Sequence, residues 1–225
     1  MIHVAFDDTK HTYLVAGKPY PSATTVLEDS GYAEQGAKFY TRESRHRGNA
    51  VHQARYLADM HAPDKLTLGD ALDGIPYNID ERLHPYLAGY LLFKRETGFR
   101  AYMSEVAIAS TQLRIAGKMD IWGTYLDGTK VLVDTKGWEN HTNIAKTPKR
   151  GAVLQTAIYK IQAKESLGLE TDIRVLLNLP GNGEYRKFEL KCVDHERDEA
   201  IVYNIATVWW DRYDAKLVKI RGEEE

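Results

Sequence analysis

Two periods of hydrophobic and polar positions run along this chain. Short alternating runs, "IHVAF" and "TYLVAG", bracket the polar "DDTKH" and predict two short strands around a turn. In "PSATTVLEDSG", Ser22 stands where an N-cap belongs, before a short helix closed by Gly31. "TRESRHRGNAVHQARYLADM", from about Thr41 to Met60, reads as a helix with Val51, Tyr56 and Leu57 among its apolar residues. The turn-rich "HAPDKLTLGDALDGIPYN" predicts a surface loop. "DERLHPYLAGYLLFKRETG" predicts a second helix, kinked or restarted at Pro85.

Strand-like sequence follows: "RAYMSEVAIAS", "LRIAGKMDIWGTYL" and "KVLVDTKGW". A helix opens at Pro148 and closes at Gly168, then come the apolar strand "DIRVLLNLP", a hairpin-like "GNGEYRKFELKCV" and a last helix from about His195 to Leu217. The order strand–strand–helix–strand predicts an α/β fold: a mixed central β-sheet flanked by helices, with a crossover helix.

Composition changes little in this picture. The chain of 225 residues is long enough for a core of its own, and 43% hydrophobic with 28% charged residues is ordinary for a globular protein. A net charge of −2 does not speak against a nucleic-acid partner, which needs a local basic patch and not a basic whole. Cys192 is the single cysteine, which excludes an internal disulfide, a CxxC zinc site and a cysteine-ligated iron–sulfur cluster. The opening "MIHVAFDDTKHTY" has the composition of neither a signal nor a transit peptide, and no apolar run reaches membrane-spanning length. The expectation is a cytoplasmic protein without membrane contact.

Charge inside the strands changes the picture more. In "KVLVDTK", alternation places Asp134 and Lys136 on one side with Leu132, and Val131, Val133 and Thr135 on the side most easily buried. The "YLDGT" turn decides whether Asp120 joins them. A two-residue Asp127-Gly128 turn sets Asp120 against Thr135. A three-residue loop with Gly128 left-handed pairs Tyr125 with Thr129 and sets Asp120 against Asp134, with Cβ atoms ~5 Å apart. Like charges so placed repel, and a cation between them relieves it; Mg²⁺ suits two carboxylates, water and a phosphate oxygen. The alternative for an isolated D-x-K triplet is a hairpin whose charges face solvent.

The surrounding residues favour the cation. Gly117 and Asp120 form G-x-x-D; Asp134 and Lys136 follow as D-x-K after apolar residues; Gln155 and Tyr159 form Q-x-x-x-Y on the next helix. Upstream, Gly48 and His52 form G-x-x-x-H, "SEVAIA" carries Glu105, and "YPSATTVLEDSG" opens the set. In this order, across roughly residues 20 to 180, the motifs resemble the PD-(D/E)XK nuclease superfamily and, within it, the RecB-type exonuclease branch with its phage and mitochondrial genome maintenance members.

The resemblance implies a restriction-endonuclease-like core, with residues 1–100 as N-terminal strands and a helical lobe contributing the G-x-x-x-H helix. Residues 101–225 would be the nuclease core, folded with the first part as one unit. It implies Asp120, Asp134 and the Thr135 carbonyl as ligands of one or two Mg²⁺ or Mn²⁺ ions, His52 as a further ligand and Lys136 as the catalytic lysine. Glu105 would join directly or through water, and Gln155 and Tyr159 would support the site. The middle residue of D-x-K, often aromatic in the family, is Thr135 here. The cysteine cluster of some relatives is absent, and with it the iron–sulfur cluster. No GxxxxGK[ST] motor motif is present.

Basic residues flank these motifs: Arg42, Arg45, Arg47 and Arg55 around His52, and Lys146, Lys149 and Arg150 after the D-x-K strand. Of these, Arg45, Arg47, Arg55, Lys149 and Arg150 are the expected phosphate contacts. Tyr40, Tyr56, Trp122 and Trp138 offer stacking surfaces. The function implied is a metal-dependent DNA exonuclease acting on single strands or DNA ends, in recombination, repair or phage DNA processing, with a recombination or single-strand-binding protein as a possible partner. The alternatives are a structure-specific or restriction-type endonuclease with the same site, or an inactive nucleic-acid-binding protein of this fold.

Overall fold

The computed structural model describes residues 2–7, 12–32, 42–137 and 148–222, except the side chains of 192–193 and 215–222. The expected contributions of Tyr40, Trp138 and Lys146 lie outside these residues. The N-terminus forms three strands where two were expected: β1 (Val4–Asp7), β2 (Thr12–Val15) and β3 (Lys18–Tyr20), an antiparallel meander. Ala16 and Gly17 both have positive φ, 49° and 75°, which lets a two-residue turn join β2 to β3 with Val15 opposite Lys18.

Helix α1 (Ala23–Asp29) begins at Ser22, whose Oγ accepts from Thr25 N at 3.0 Å, and the chain leaves it through Gly31 at φ 75°. Three helices follow: α2 (Arg42–His61), α3 (Leu68–Gly74) and α4 (His84–Thr97), the last entered through a 3-10 turn at Glu81–Leu83 with Pro85 in its first turn. Helix α3 lies inside the expected loop. Thr67 caps it by accepting from Asp70 N at 3.3 Å and donating to Asp70 Oδ2 at 2.7 Å, and Ala71 is buried.

The main sheet has the order β4-β5-β6-β7-β8, with β4 (Arg100–Ser110), β5 (Ile115–Thr124), β6 (Lys130–Lys136), β7 (Ile173–Asn178) and β8 (Arg186–Leu190). Only β6 and β7 are parallel; α5 (Arg150–Leu167) crosses between them and ends at Gly168, φ 69°. The long α6 (Cys192–Gly222) closes the chain and outruns its expected span at both ends. The expected mixed α/β architecture is therefore the one observed.

Each sheet face is covered by helices. Ile121, Val131, Val133, Val175 and Leu177 join Val51, Ala54, Leu87, Tyr90 and Phe93 of α2 and α4 in one core. Ile108, Met119 and Leu132 join α1, α5 and α6 residues, among them Val26, Leu154, Ile158 and Val202, in the other. Leu132 and Asp134 were expected to line a surface, but β6 is buried on both sides from Val131 to Thr135, because α5 lies over that face. No described helix is long and apolar enough to cross a membrane.

Helix α6 is fixed by a buried ion cluster. Arg174 Nη2 donates to Asp198 Oδ2 at 2.7 Å, and Arg174 Nη1 donates to Val153 O at 2.9 Å and Thr156 Oγ1 at 3.1 Å. Arg150 Nη1 reaches Asp198 Oδ1 at 2.7 Å. Both Arg174 and Asp198 are fully buried, so removing one leaves an uncompensated charge inside the protein. Asp198→Ala is expected to cost about 3–5 kcal/mol, read from urea unfolding, and the apolar pair Arg174→Met/Asp198→Leu to recover most of that loss.

Candidate active site

The "YLDGT" connection is a three-residue loop: Tyr125 N donates to Thr129 O at 2.9 Å, and Gly128 has φ 85°. The resulting register pairs Ile121 with Val133, and one step further it sets Asp120 opposite Asp134. On the other side Ser104 pairs with Ile121 and Val106 with Met119, which sets Glu105 opposite Asp120. Glu105, Asp120 and Asp134 therefore occupy one rung across three adjacent strands.

At this rung the strands stop alternating. Met103, Val106 and Ile108 of β4 all contribute to the α5-side core, so the side-chain phase slips by one between Met103 and Val106. Met119 and Trp122 of β5 do the same around Asp120. The slip coincides with Glu105 at φ 56°, a left-handed conformation rare for a long side chain. Its effect is to turn Glu105 and Asp120 toward α2.

Helix α2 meets them with two residues one turn apart. His52 Nδ1 lies 3.1 Å from Glu105 Oε1 and 3.6 Å from Asp120 Oδ2. Arg55, 1% exposed, ion-pairs with Glu105 Oε1 and donates to Ser104 Oγ at 3.0 Å. The expectation that Arg55 contacts phosphate is thereby corrected: its guanidinium is buried and committed to Glu105, Ser104 and Asp59. Asp59 in turn accepts from Tyr90 Oη at 2.8 Å and Lys94 Nζ at 3.4 Å, so Arg55 is gripped from behind as well.

The other end of the rung is tied to α5. Lys136 Nζ lies 2.8 Å from Asp134 Oδ2 and donates to Gln155 Oε1 at 3.1 Å. Gln155 Nε2 donates to Tyr159 Oη at 2.8 Å. The glycine of G-x-x-D makes room for this chain, since a Cβ on Gly117 would sit 2.7 Å from Tyr159 Cε1. Thr135 takes part through its backbone: its N–H donates to Asp120 Oδ2 at 2.7 Å.

Electrostatics follow from crowding and burial. Burial pushes the Asp134 carboxyl up to about 6; Lys136 opposes this and the Asp120 charge adds to it. Burial also works against ionising Glu105, but His52, Arg55 and Lys118 outweigh it and hold that group at about 2. Burial pushes the His52 imidazole down, while Asp120 and Glu105 pull it above its ordinary value on balance. Tyr159, desolvated and near both aspartates, is far too weak an acid to ionise.

The donor set suits a hard divalent ion. His52, Glu105 and Asp120 bring one nitrogen and two carboxylate oxygens within 4.8 Å of one another. Asp134 Oδ2 is buried and, despite its ion pair with Lys136, receives no well-aligned hydrogen bond, as expected of an oxygen available to a cation. Glu105, the residue least determined by sequence spacing, thus sits in the tightest group. Lys118, which sequence reasoning did not single out, also reaches the site: its Nζ lies 3.0 Å from Glu105 Oε2.

The expected basic residues divide. Arg45 is exposed, Arg47 half-buried, and both lie on the α2 turns before His52. Lys149 is exposed at the start of α5, next to Arg150 and its ion pair with Asp198. His46 and His61 are exposed; His46 accepts from Arg42 Nε at 3.3 Å and His61 packs on Tyr77.

No protein-family model matches the sequence, and no curated protein matches it either. Among solved structures, LHK-Exo in complex with dAMP superposes with a TM-score of 0.50 over 91% of this chain and 93% of that one, at 13% identity. A second structure, described as an alkaline exonuclease (LHK-Exo) from Laribacter hongkongensis, gives 0.49 at 14% identity over the same shares. At this identity the first likeness establishes a shared fold, a five-stranded mixed sheet between helical layers, and the second adds no weight.

Asp134 gives a pH-dependent test. Its folded pKa of about 6 exceeds the ordinary 3.8, so the stability tied to its protonation is present below pH ~4 and lost as pH rises through ~6. In chelator, Asp134→Asn is expected to match the parent near pH 4 and to exceed it by about 1–3 kcal/mol above pH 6.5, measured by urea unfolding across that range.

Proposed function

We propose that this protein is a metal-dependent DNA exonuclease of the PD-(D/E)XK superfamily, of the RecB-type branch, hydrolysing phosphodiester bonds from DNA ends. The observation that carries the proposal is the rung Glu105–Asp120–Asp134, met by His52 on one side and Lys136–Gln155–Tyr159 on the other. An ordinary strand rung does not hold three carboxylates side by side, because like charges there destabilise the sheet. The fold shared with LHK-Exo, a protein solved with dAMP, supports the same reading.

His52, Glu105, Asp120 and Asp134 would hold the ion, with the Thr135 carbonyl beside them; the nitrogen donor admits Mn²⁺ as well as Mg²⁺. The ion when bound supplies Lewis-acid activation of water and neutralises charge at phosphorus. The protein's own contribution is placement. Lys136, held between Asp134 and Gln155, presents an ammonium where negative charge grows as water adds to phosphorus and the ester oxygen leaves. Gln155 is fixed by Tyr159, so that ammonium is oriented before substrate arrives. Arg45 and Arg47 on one side, and Lys149 and Arg150 on the other, would contact backbone phosphates.

In this reading residues 1–100 supply the G-x-x-x-H helix and residues 101–225 the nuclease core. The biological setting would be recombination, repair or phage DNA processing, beside a recombination or single-strand-binding protein.

Asp120→Ala, Asp134→Ala and Lys136→Ala are each expected to lower cleavage of end-labelled linear DNA in Mg²⁺ by at least ~10³-fold. Retention of most activity by Asp134→Ala would sink the proposal. His52→Ala should weaken cleavage far more than His46→Ala or His61→Ala. Circular DNA should resist while linear DNA is consumed; equal rates on both would make the enzyme an endonuclease.

A further inference from the structure

Glu105 has more cationic partners than one carboxylate needs. Arg55 and His52 share its Oε1, and Lys118 Nζ lies 3.0 Å from its Oε2. The two flanking cations are unlike. Arg55 is buried and held by Ser104, Asp59 and the Asp120 carbonyl as well, so it cannot leave without stranding a charge inside the protein. Lys118, with a side chain 44% exposed, sits on a flexible four-carbon stem at the open side of the rung. An ion pair of that exposure is weakened by solvent and is readily exchanged.

Charge balance says when the exchange occurs. The rung carries three carboxylates, from Glu105, Asp120 and Asp134, and they face three permanently cationic side chains, Arg55, Lys118 and Lys136, besides the titratable His52. A divalent cation on the rung makes the mobile positive charge surplus. Arg55 is locked and Lys136 is held by Asp134 and Gln155; Lys118 is the one positioned to let go. Its ammonium, on a partly exposed side chain two residues from Asp120, is then without its carboxylate and free to meet a phosphate.

We infer that Lys118 is a substrate-binding residue gated by the metal: it neutralises Glu105 while that carboxylate lacks a cation, and it transfers to a DNA backbone phosphate when Glu105 engages one. This rests on the nuclease reading of the site. It requires opposite effects of one substitution on two ligands. Without Lys118 a metal ion no longer competes for Glu105, so metal binding tightens; DNA loses one phosphate contact, so DNA binding weakens.

The experiment compares Lys118→Ala and Lys118→Arg with the parent, all in a Lys136→Ala background to suppress turnover. Mn²⁺ affinity is measured by calorimetry without DNA, and affinity for a fluorescent oligonucleotide by anisotropy in Mn²⁺ over a salt series. For Lys118→Ala we expect Mn²⁺ to bind about threefold more tightly and DNA at least fivefold more weakly. The slope of log affinity against log salt should fall by about 0.7–0.9, one phosphate contact. Lys118→Arg should keep the DNA affinity. Weaker or unchanged Mn²⁺ binding by Lys118→Ala, or unchanged DNA affinity and salt slope, would overturn the inference. A Lys136-intact protein that binds Mn²⁺ and DNA but cleaves nothing would instead overturn the exonuclease reading, leaving the two binding measurements to decide the role of Lys118.

Discussion

Repulsion between three side-by-side carboxylates is the constraint around which the rest of the structure is arranged. Adjacent members ~5 Å apart repel by roughly 3 kcal/mol at an effective dielectric of about 20, and burial on β5 and β6 makes escape into water impossible. Each neighbouring feature offsets or positions part of that charge. Arg55 is brought in from α2, its guanidinium backed by an Asp59–Tyr90–Lys94 cluster that also ties α2 to α4. Thr135 N donates to Asp120, Lys136 pairs with Asp134, and His52 sits between Glu105 and Asp120. The left-handed residue at Glu105 and the slip in strand phase are backbone costs accepted so that two carboxylates face one helix.

How much of this the sequence disclosed depends on how far apart the deciding partners lie. The Asp120–Asp134 register was narrowed to two choices because it turns on one loop, and the three-residue form, with Gly128 left-handed and Tyr125 paired to Thr129, is the one observed. The D-x-K strand, the crossover helix and the Ser22 cap were legible for the same reason. Arg55 was misread because a basic residue beside His52 on a helix resembles a solvated face. Its burial is decided by Ser104 and Glu105, some fifty positions away. Helix α3 was missed although Thr67-x-x-Asp70 is a recognisable capping box; the glycines and prolines around it spoke louder. Lys118 carried no signal, being one lysine in a strand until β4 brings Glu105 opposite Asp120.

The site belongs to no single layer. His52 and Arg55 come from the helices on one face, Gln155 and Tyr159 from α5 on the other, and the carboxylates from the three strands between. Alignment across about one residue width therefore depends on both cores at once. The buried Arg174–Asp198 pair bears on this from a distance: Arg174 also holds Val153 O and Thr156 Oγ1 in the first turns of α5, the turns that present Gln155. A buried ion pair adds little net stability over apolar residues, but here it anchors the turns of α5 that carry Gln155, whose Oε1 accepts from Lys136 Nζ at 3.1 Å.

The same reasoning explains why a destabilising residue persists at Asp134. With its carboxyl pushed up to about 6 by burial, an ionised Asp134 at neutral pH is a cost that an asparagine would not carry. Cores do not retain such a residue for packing, since Leu132 and Val133 beside it show that the strand takes apolar side chains well. A carboxylate that weakens the fold alone strengthens it when it binds a cation, because a ligand that binds only the native state stabilises that state by mass action. The strain at Glu105, the crowding of Asp120 and the burial of Asp134 then have one explanation. On the proposed reading that explanation is a bound cation, a positive charge that the protein's own side chains only partly supply, with Lys118 as the exchangeable part.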